Sequence, residues 1–295
     1  MNEQKEKVVK SITFEFVLGI AALICIAGNA AAAENLLKGG DAEDASIAKR
    51  WSKHLTLNTE DKVSGESSCL AAKGSITAKS PGFIEIDPTK TYKLSGSFKS
   101  VGKDQGRCYL GLIMYNAKKR LIHRNHITHK AGSQTKLAAD AKAGDTVIKL
   151  ADCSKWDTRK LNRKLVAFGA KDDLSDLPNT DLSFPIAKLE KQGDVYEVTL
   201  TKPLKKDYPA GTEVREHYRT GGYQYCAAAN KPIPNEWTKY SAIIKGINSK
   251  GPSNKQFWPG TKYVKAVIIM NYRAKKDQDC QTLFDDVILE EVDEK

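Results

Sequence analysis

Long apolar runs are scarce in this chain of 295 residues. The longest, Phe16 to Gly28, spans 13 residues, short of the roughly 20 needed to cross a bilayer as a helix. It follows Lys5, Lys7 and Lys10 and precedes Ala30 to Ala33. A basic start, a short apolar core and small residues at the end form the pattern of a secretory signal peptide, residues 1–33, cut after Ala33. Ile24 stands before Cys25 where a lipoprotein signal needs a small residue. No second run of membrane length follows, so no transmembrane segment is expected in the mature chain. The expected location is outside the cytoplasm: the medium, the cell surface or the periplasm.

Catalytic signatures are missing as well. The sequence has no Gly-x-Ser-x-Gly elbow, no His-Glu-x-x-His and no Gly-rich loop opening a helix. The motif-bearing hydrolase, metalloprotease and nucleotide-binding classes are therefore not expected. Carboxylates are too plentiful for one glycosidase pair to stand out, and the expected protein is not an enzyme. No two cysteines lie at C-x-x-C spacing, which excludes a zinc ribbon or a thioredoxin-like site. The mature chain keeps Cys69, Cys108, Cys153, Cys226 and Cys280. Disulfide pairing is expected outside the cytoplasm, and an odd number leaves at least one thiol free or joined to another chain.

Acidic residues are in deficit. Lys and Arg number 47 against 36 Asp and Glu, a net charge of +11. Residues 1–33 hold three Lys and three Glu, so removing them leaves the balance unchanged. An excess of this sign suits an acidic partner, such as an anionic polysaccharide. The basic residues are scattered along the chain rather than clustered, which counts against nucleic acid.

Helical periodicity is confined to residues 42–55; what is present elsewhere is period two. Tyr92, Leu94 and Phe98 share one face of a half-buried strand, with Lys93, Ser95 and Ser97 on the other. In 107–115, Cys108, Leu110, Leu112 and Met114 alternate with Tyr109, Gly111, Ile113 and Tyr115. Apolar on both sides, this segment reads as a central strand whose second face is covered or holds a ligand. Further strands are expected near 222–228, 238–246, 262–272 and 283–291, punctuated by Gly, Pro, Asn and Asp. The expected fold is an all-β sandwich.

Residues 134–217 carry separate strand signals: Thr146 to Leu150, Lys164 to Phe168 and Val195 to Leu200. They read as a small β-barrel inserted into the sandwich, whose own parts are then 34–133 and 218–295. Closing so long a loop adds little entropy cost.

Five motifs resemble, in order, the galactose-binding-like jelly rolls that occur as carbohydrate-binding modules beside bacterial xylanases and cellulases. They are Asn35 to Glu43 with Trp51, Ser64 to Leu70, Ile86 to Gly96, Glu236 to Tyr240, and Phe284 to Leu289. Ala42 stands where that family usually has Phe. The inserted segment resembles small β-barrels of phage tail and surface proteins. The resemblance implies polysaccharide or cell-surface glycan as partner. It also implies a structural calcium ion tying the N-terminal segment to the last strand, with Asp41, Glu43, Asp285 and Asp286 as the matching ligands.

Sugar binding needs flat rings for the C–H face of a pyranose and polar groups for its hydroxyls. If the strands carrying Tyr109 and Tyr115, and Tyr223 and Tyr225, are neighbours, the four rings form one patch with Arg107 and Gln224 nearby. Trp237, in the motif-matching Glu-Trp-Thr, is expected to pack, and Trp258, before Pro-Gly, to be exposed and available to ligand. His123, His126 and His129 are three apart, but on strand and loop His126 points away from the other two, so no metal site is expected there. A second reading is a structural or adhesive subunit of a surface layer, fibre or matrix, self-associating through the unpaired cysteine.

Overall fold

The computed structural model describes residues 34–293; the signal-peptide assignment lies outside the described residues. The first elements are the helix α1 (Ala45–Trp51) and strands β1 (Thr56–Asn58), β2 (Ser68–Ala71), β3 (Ile76–Lys79), β4 (Ile84–Glu85), β5 (Thr91–Ser100) and β6 (Arg107–Tyr115). The middle of the chain gives β7 (Thr135–Lys136), β8 (Val147–Leu150), β9 (Lys164–Phe168), β10 (Ile186–Gln192), β11 (Val195–Leu200) and β12 (Glu213–Tyr218). Last come β13 (Gln224–Pro232), β14 (Thr238–Lys245), β15 (Tyr263–Met270) and β16 (Thr282–Val292).

Two sheets form the sandwich, in the orders β1-β2-β16-β5-β14 and β13-β6-β15-β3, with β4 on β15. One buried cluster draws on both: Leu94 and Phe98 of β5, Phe284 and Leu289 of β16, Leu110, Leu112 and Met114 of β6, and Val264 and Ile268 of β15. The inward residues of β5 and β6 are those expected from the alternation. The other face of β5 is also covered, since Ser95 and Ser97 are buried. Asp285, paired with Ser97, accepts from the amides of Val63 and Ser64 and so draws that loop over this side of the sheet.

The opening Asn35 has a visible task. Its side-chain amide donates to Val287 O at 3.1 Å, and its carbonyl accepts from the Leu37 and Leu289 amides at 3.0 and 3.1 Å. It thereby fixes the N-terminal segment to the last strand. Asp44 caps α1, accepting from the Ser46 amide at 2.7 Å, and Lys49 and Arg50 occupy the last turn where the helix dipole favours cations.

Between β6 and β13 the chain builds two three-stranded sheets, β10-β11-β8 and β7-β12-β9. They share a separate buried cluster including Leu150, Trp156, Phe168, Ile186, Val198 and Val214. Phe168 and Tyr208 stack within it at 3.8 Å.

Candidate functional site

The site begins with strand alternation. Because Cys108, Leu110, Leu112 and Met114 point into the sandwich, Tyr109 and Tyr115 stand on the opposite face of β6. β13 pairs with β6, so Tyr223 and Tyr225 join them. Tyr109 and Tyr225 are 4.5 Å apart between ring centroids, and Tyr223 and Tyr225 are 6.2 Å apart edge-to-face. Three of the four expected tyrosines meet ring to ring, and Tyr115 lies close enough to Tyr223 to interact with it electrostatically. Tyr272 extends the row, 4.9 Å from Tyr109, and Phe83 starts a second run, 4.9 Å from Tyr115 and 6.2 Å from Tyr263. Tyr263 lies directly opposite Tyr115 across β15 and β6.

This layer also shields the sheet. Ile113 and Val267 point outward yet are buried. Tyr223 sits within cation–π reach of Lys79 on β3, 5.4 Å from its centroid, having crossed β6 and β15 to get there. The rings thus pack one side on an apolar sheet and leave the other part exposed. Such rings are held by packing before any ligand arrives, so their ordering need not be supplied by binding.

Cations surround the rings. Lys265 is 4.4 Å and Lys119 5.3 Å from the Phe83 centroid, and Arg273 is 5.1 Å from that of Tyr272. Lys79, Lys119, Lys265 and Arg273 have no carboxylate partner among the described residues. Arg107 is exposed at the start of β6, its Nε donating to Asn230 Oδ1 at 2.8 Å and its Nη2 to the Asn230 backbone carbonyl at 2.5 Å. Burial raises the phenol pKa of Tyr109 and Tyr115 and pushes that of Tyr225 up to about 12, so these hydroxyls remain neutral donors.

Two expected ligand residues are displaced from the site. Gln224 is buried, and its amide donates to the carbonyls of Ser253 and Gln256. It fastens β13 to the 253–257 loop. Trp258 is 1% exposed and belongs to the sandwich core, its indole N–H donating to Ser253 O at 3.2 Å. The Pro-Gly after it does mark a turn, but one that folds the ring inward. Trp237 is half-buried and donates to Asp61 at 2.7 Å. Phe83, Tyr263 and Tyr272 were not foreseen. For Tyr263 the signal existed, because Tyr263 and Lys265 alternate with the core residues Val264 and Ala266.

The carboxylates implied as calcium ligands are differently engaged. Buried Asp285 accepts from the amides of Val63 at 2.9 Å, Ser64 at 3.3 Å and Asp286 at 2.7 Å. Glu43 accepts from the amides of Glu66 and Ser67, and Asp286 from the Ser64 hydroxyl at 2.7 Å. Asp41 is exposed. Calcium needs several oxygens converging on one point. In this structure Glu43, Asp285 and Asp286 cap the 63–67 loop, and each keeps oxygen lone pairs beyond those bonds.

The expected disulfides are absent among the described residues. All five cysteines are free; four are buried and Cys226 is half-buried. Cys69 and Cys108 belong to the sandwich core and Cys153 to the second cluster, where each acts as a small apolar side chain. Burial pushes the thiols of Cys69, Cys108, Cys153 and Cys226 up to about 12.

The histidines also differ from expectation. A short 3-10 turn, Arg124–His126, brings His123 and His126 together in a capping box, with ring centroids 6.0 Å apart. His129 lies 5.9 Å from His217 instead.

No protein family's sequence profile matches the chain. No curated protein sequence matches it either. Among solved structures it is similar to the CBM22-1 xylan-binding domain from Paenibacillus barcinonensis Xyn10C, at 7% identity and a TM-score of 0.30, with 82% of each chain covered. At that level the likeness carries no argument, and the sandwich rests on the strand pairing above.

Proposed function

We propose that this is an exported, non-catalytic protein that binds polysaccharide, with acidic glycans preferred. In this reading the sandwich is a jelly roll of the galactose-binding-like kind, and residues 134–217 are a small barrel inserted between β6 and β13. The observation that carries it is the row of Tyr272, Tyr109, Tyr225 and Tyr223, continued by Tyr115, Phe83 and Tyr263 and edged by unpaired cations. The rings of Tyr109, Tyr115 and Tyr225, over which no cation lies among the described residues, suit the C–H face of a sugar, phenol hydroxyls suit its hydroxyls, and Lys79, Lys119, Lys265 and Arg273 suit carboxylate or sulfate substituents. A structural calcium at Glu43, Asp41 and Asp285 or Asp286 would brace the N-terminal segment and lies outside the sugar contact itself.

The alternative of a covalently assembled structural subunit relied on a thiol able to reach another chain. Among the described residues no cysteine is exposed, so the binding reading is favoured. An array of neutral and acidic polysaccharides, probed at low and high salt, tests it. Binding to acidic glycans that weakens with salt supports it, and absence of binding to every glycan at low salt contradicts it.

A further inference from the structure

A second concave surface lies on the sheets of the middle segment, lined by none of the row's aromatic residues. Three adjoining depressions of about 430, 550 and 540 Å³ run along it. The first and second share Phe184, and the second and third share Arg219.

The groove's acids are already neutralised from within. Asp181 is held by Lys206 at 2.8 Å and by the Tyr208 hydroxyl at 2.7 Å. Asp157 accepts from Arg159 Nε at 3.0 Å and from Lys164 Nζ at 2.8 Å. Lys164 is itself buried, with Glu216 at 3.3 Å and the Tyr218 ring at 4.1 Å. What remains facing the groove is Lys160, Arg163, Lys202, Lys205 and Arg219, all exposed and none with a carboxylate partner among the described residues. The backbone supports this display. Lys160 takes the left-handed conformation, φ 52°, to start the short turn that presents Arg163 and leads into Lys164.

Five unpaired cations along a groove match a flexible chain with repeated anionic groups. Single-stranded nucleic acid carries such groups too, but it is held largely by stacking of bases on free ring faces. The rings here are taken: Lys202 and Lys205 lie over Phe184 at 5.1 and 5.4 Å, Lys164 covers Tyr218, and Tyr208 stacks on Phe168. A duplex is read by elements that project into its grooves, whereas these residues line a depression. We infer that the groove is a second polysaccharide site, specific for chains bearing carboxylate or sulfate groups. The ligand class rests on the acidic-glycan reading above; the location is independent of it.

Isothermal titration of the purified protein tests this, with oligogalacturonate, a heparin-type oligosaccharide, a neutral xylo-oligosaccharide and a single-stranded oligonucleotide as probes. The triple variant Arg163→Ala, Lys202→Ala, Arg219→Ala is expected to lose about tenfold or more in affinity for an acidic oligosaccharide, with unfolding temperature retained. The variant Arg163→Lys, Arg219→Lys is expected to keep most of that affinity, which separates loss of charge from loss of fold. Unchanged acidic-glycan affinity in the triple variant overturns the inference, as does tighter binding of the oligonucleotide than of either acidic glycan. Loss in the triple variant but not in Tyr109→Ala, Tyr225→Ala would leave the groove standing and remove the tyrosine row. The converse would do the opposite.

Discussion

The carbonyl oxygen of Gln224 stands where a side chain on Gly111 would have to go. A Cβ on Gly111 would meet that oxygen far inside van der Waals contact. This close approach seats the start of β13 on β6 and lets Tyr225 reach Tyr109. Gly111→Ala is therefore expected to displace β13, lowering stability by roughly 1–3 kcal/mol and weakening glycan binding with it. Urea unfolding and titration of the same variant check both effects; wild-type values for both would contradict the packing described.

Asp285 and Glu43 cap the same loop, but only Asp285 is buried. Asp285→Ala removes the acceptor shared by the Val63, Ser64 and Asp286 amides and is expected to cost about 1–3 kcal/mol; Glu43→Ala, at an exposed site, is expected to cost less. Calcium bound by these acids is expected to raise the thermal unfolding midpoint in millimolar calcium above that in EDTA. Equal midpoints would contradict a calcium site and leave the loop held by capping alone.

His217 sets a pH dependence. Burial lowers its pKa to about 4, with Arg215 and His129 adding repulsion while Asp176 and the Asn125 carbonyl act the other way. Between about 4 and the ordinary value near 6.5 the unfolded chain binds a proton that the folded chain does not. Stability from this group is full above that window and is lost as pH falls through it, on the order of 3 kcal/mol in all. His123, His126 and His129, also lowered by burial, act in the same direction. Glu216 and Asp285, raised by burial, act oppositely. A His217→Gln variant is expected to show a shallower decline of unfolding temperature between pH 6.5 and 4 than wild type; an equal slope would contradict the assignment.

Thiol titration checks the cysteines. The five described thiols are expected to react slowly with a disulfide reagent in the folded protein and all to react after unfolding without reductant. Fewer than five on unfolding would reveal a disulfide.

Much of the sandwich was legible in the sequence because alternation alone decides which side of β6 faces inward. The tyrosine patch followed once β6 and β13 were taken as neighbours. Trp258 and Gln224 were misplaced because their partners, Ser253 and Gln256, come from a loop whose path no local pattern announces. Phe83 lies outside the expected strands, and Tyr272, at the end of the expected 262–272 strand, has inward parity there; β15 ends at Met270, and Asn271 turns left-handed at φ 51° before it. The basic groove is not legible in the sequence because its cations are spread from Lys160 to Arg219: pairing of β9 with β12 brings Lys160, Arg163 and Arg219 together, and the turn after β11 adds Lys202 and Lys205.

If the tyrosine row binds sugar, removing its rings must cost affinity. The most direct test is titration of an acidic oligosaccharide into wild type and into a Tyr109→Ala, Tyr225→Ala variant shown to be folded by circular dichroism. A loss of at least about tenfold in affinity is expected, alongside salt-weakened binding in wild type. Equal affinity in the two proteins would mean that these rings only cover Ile113 and Val267, and that the sugar site lies elsewhere.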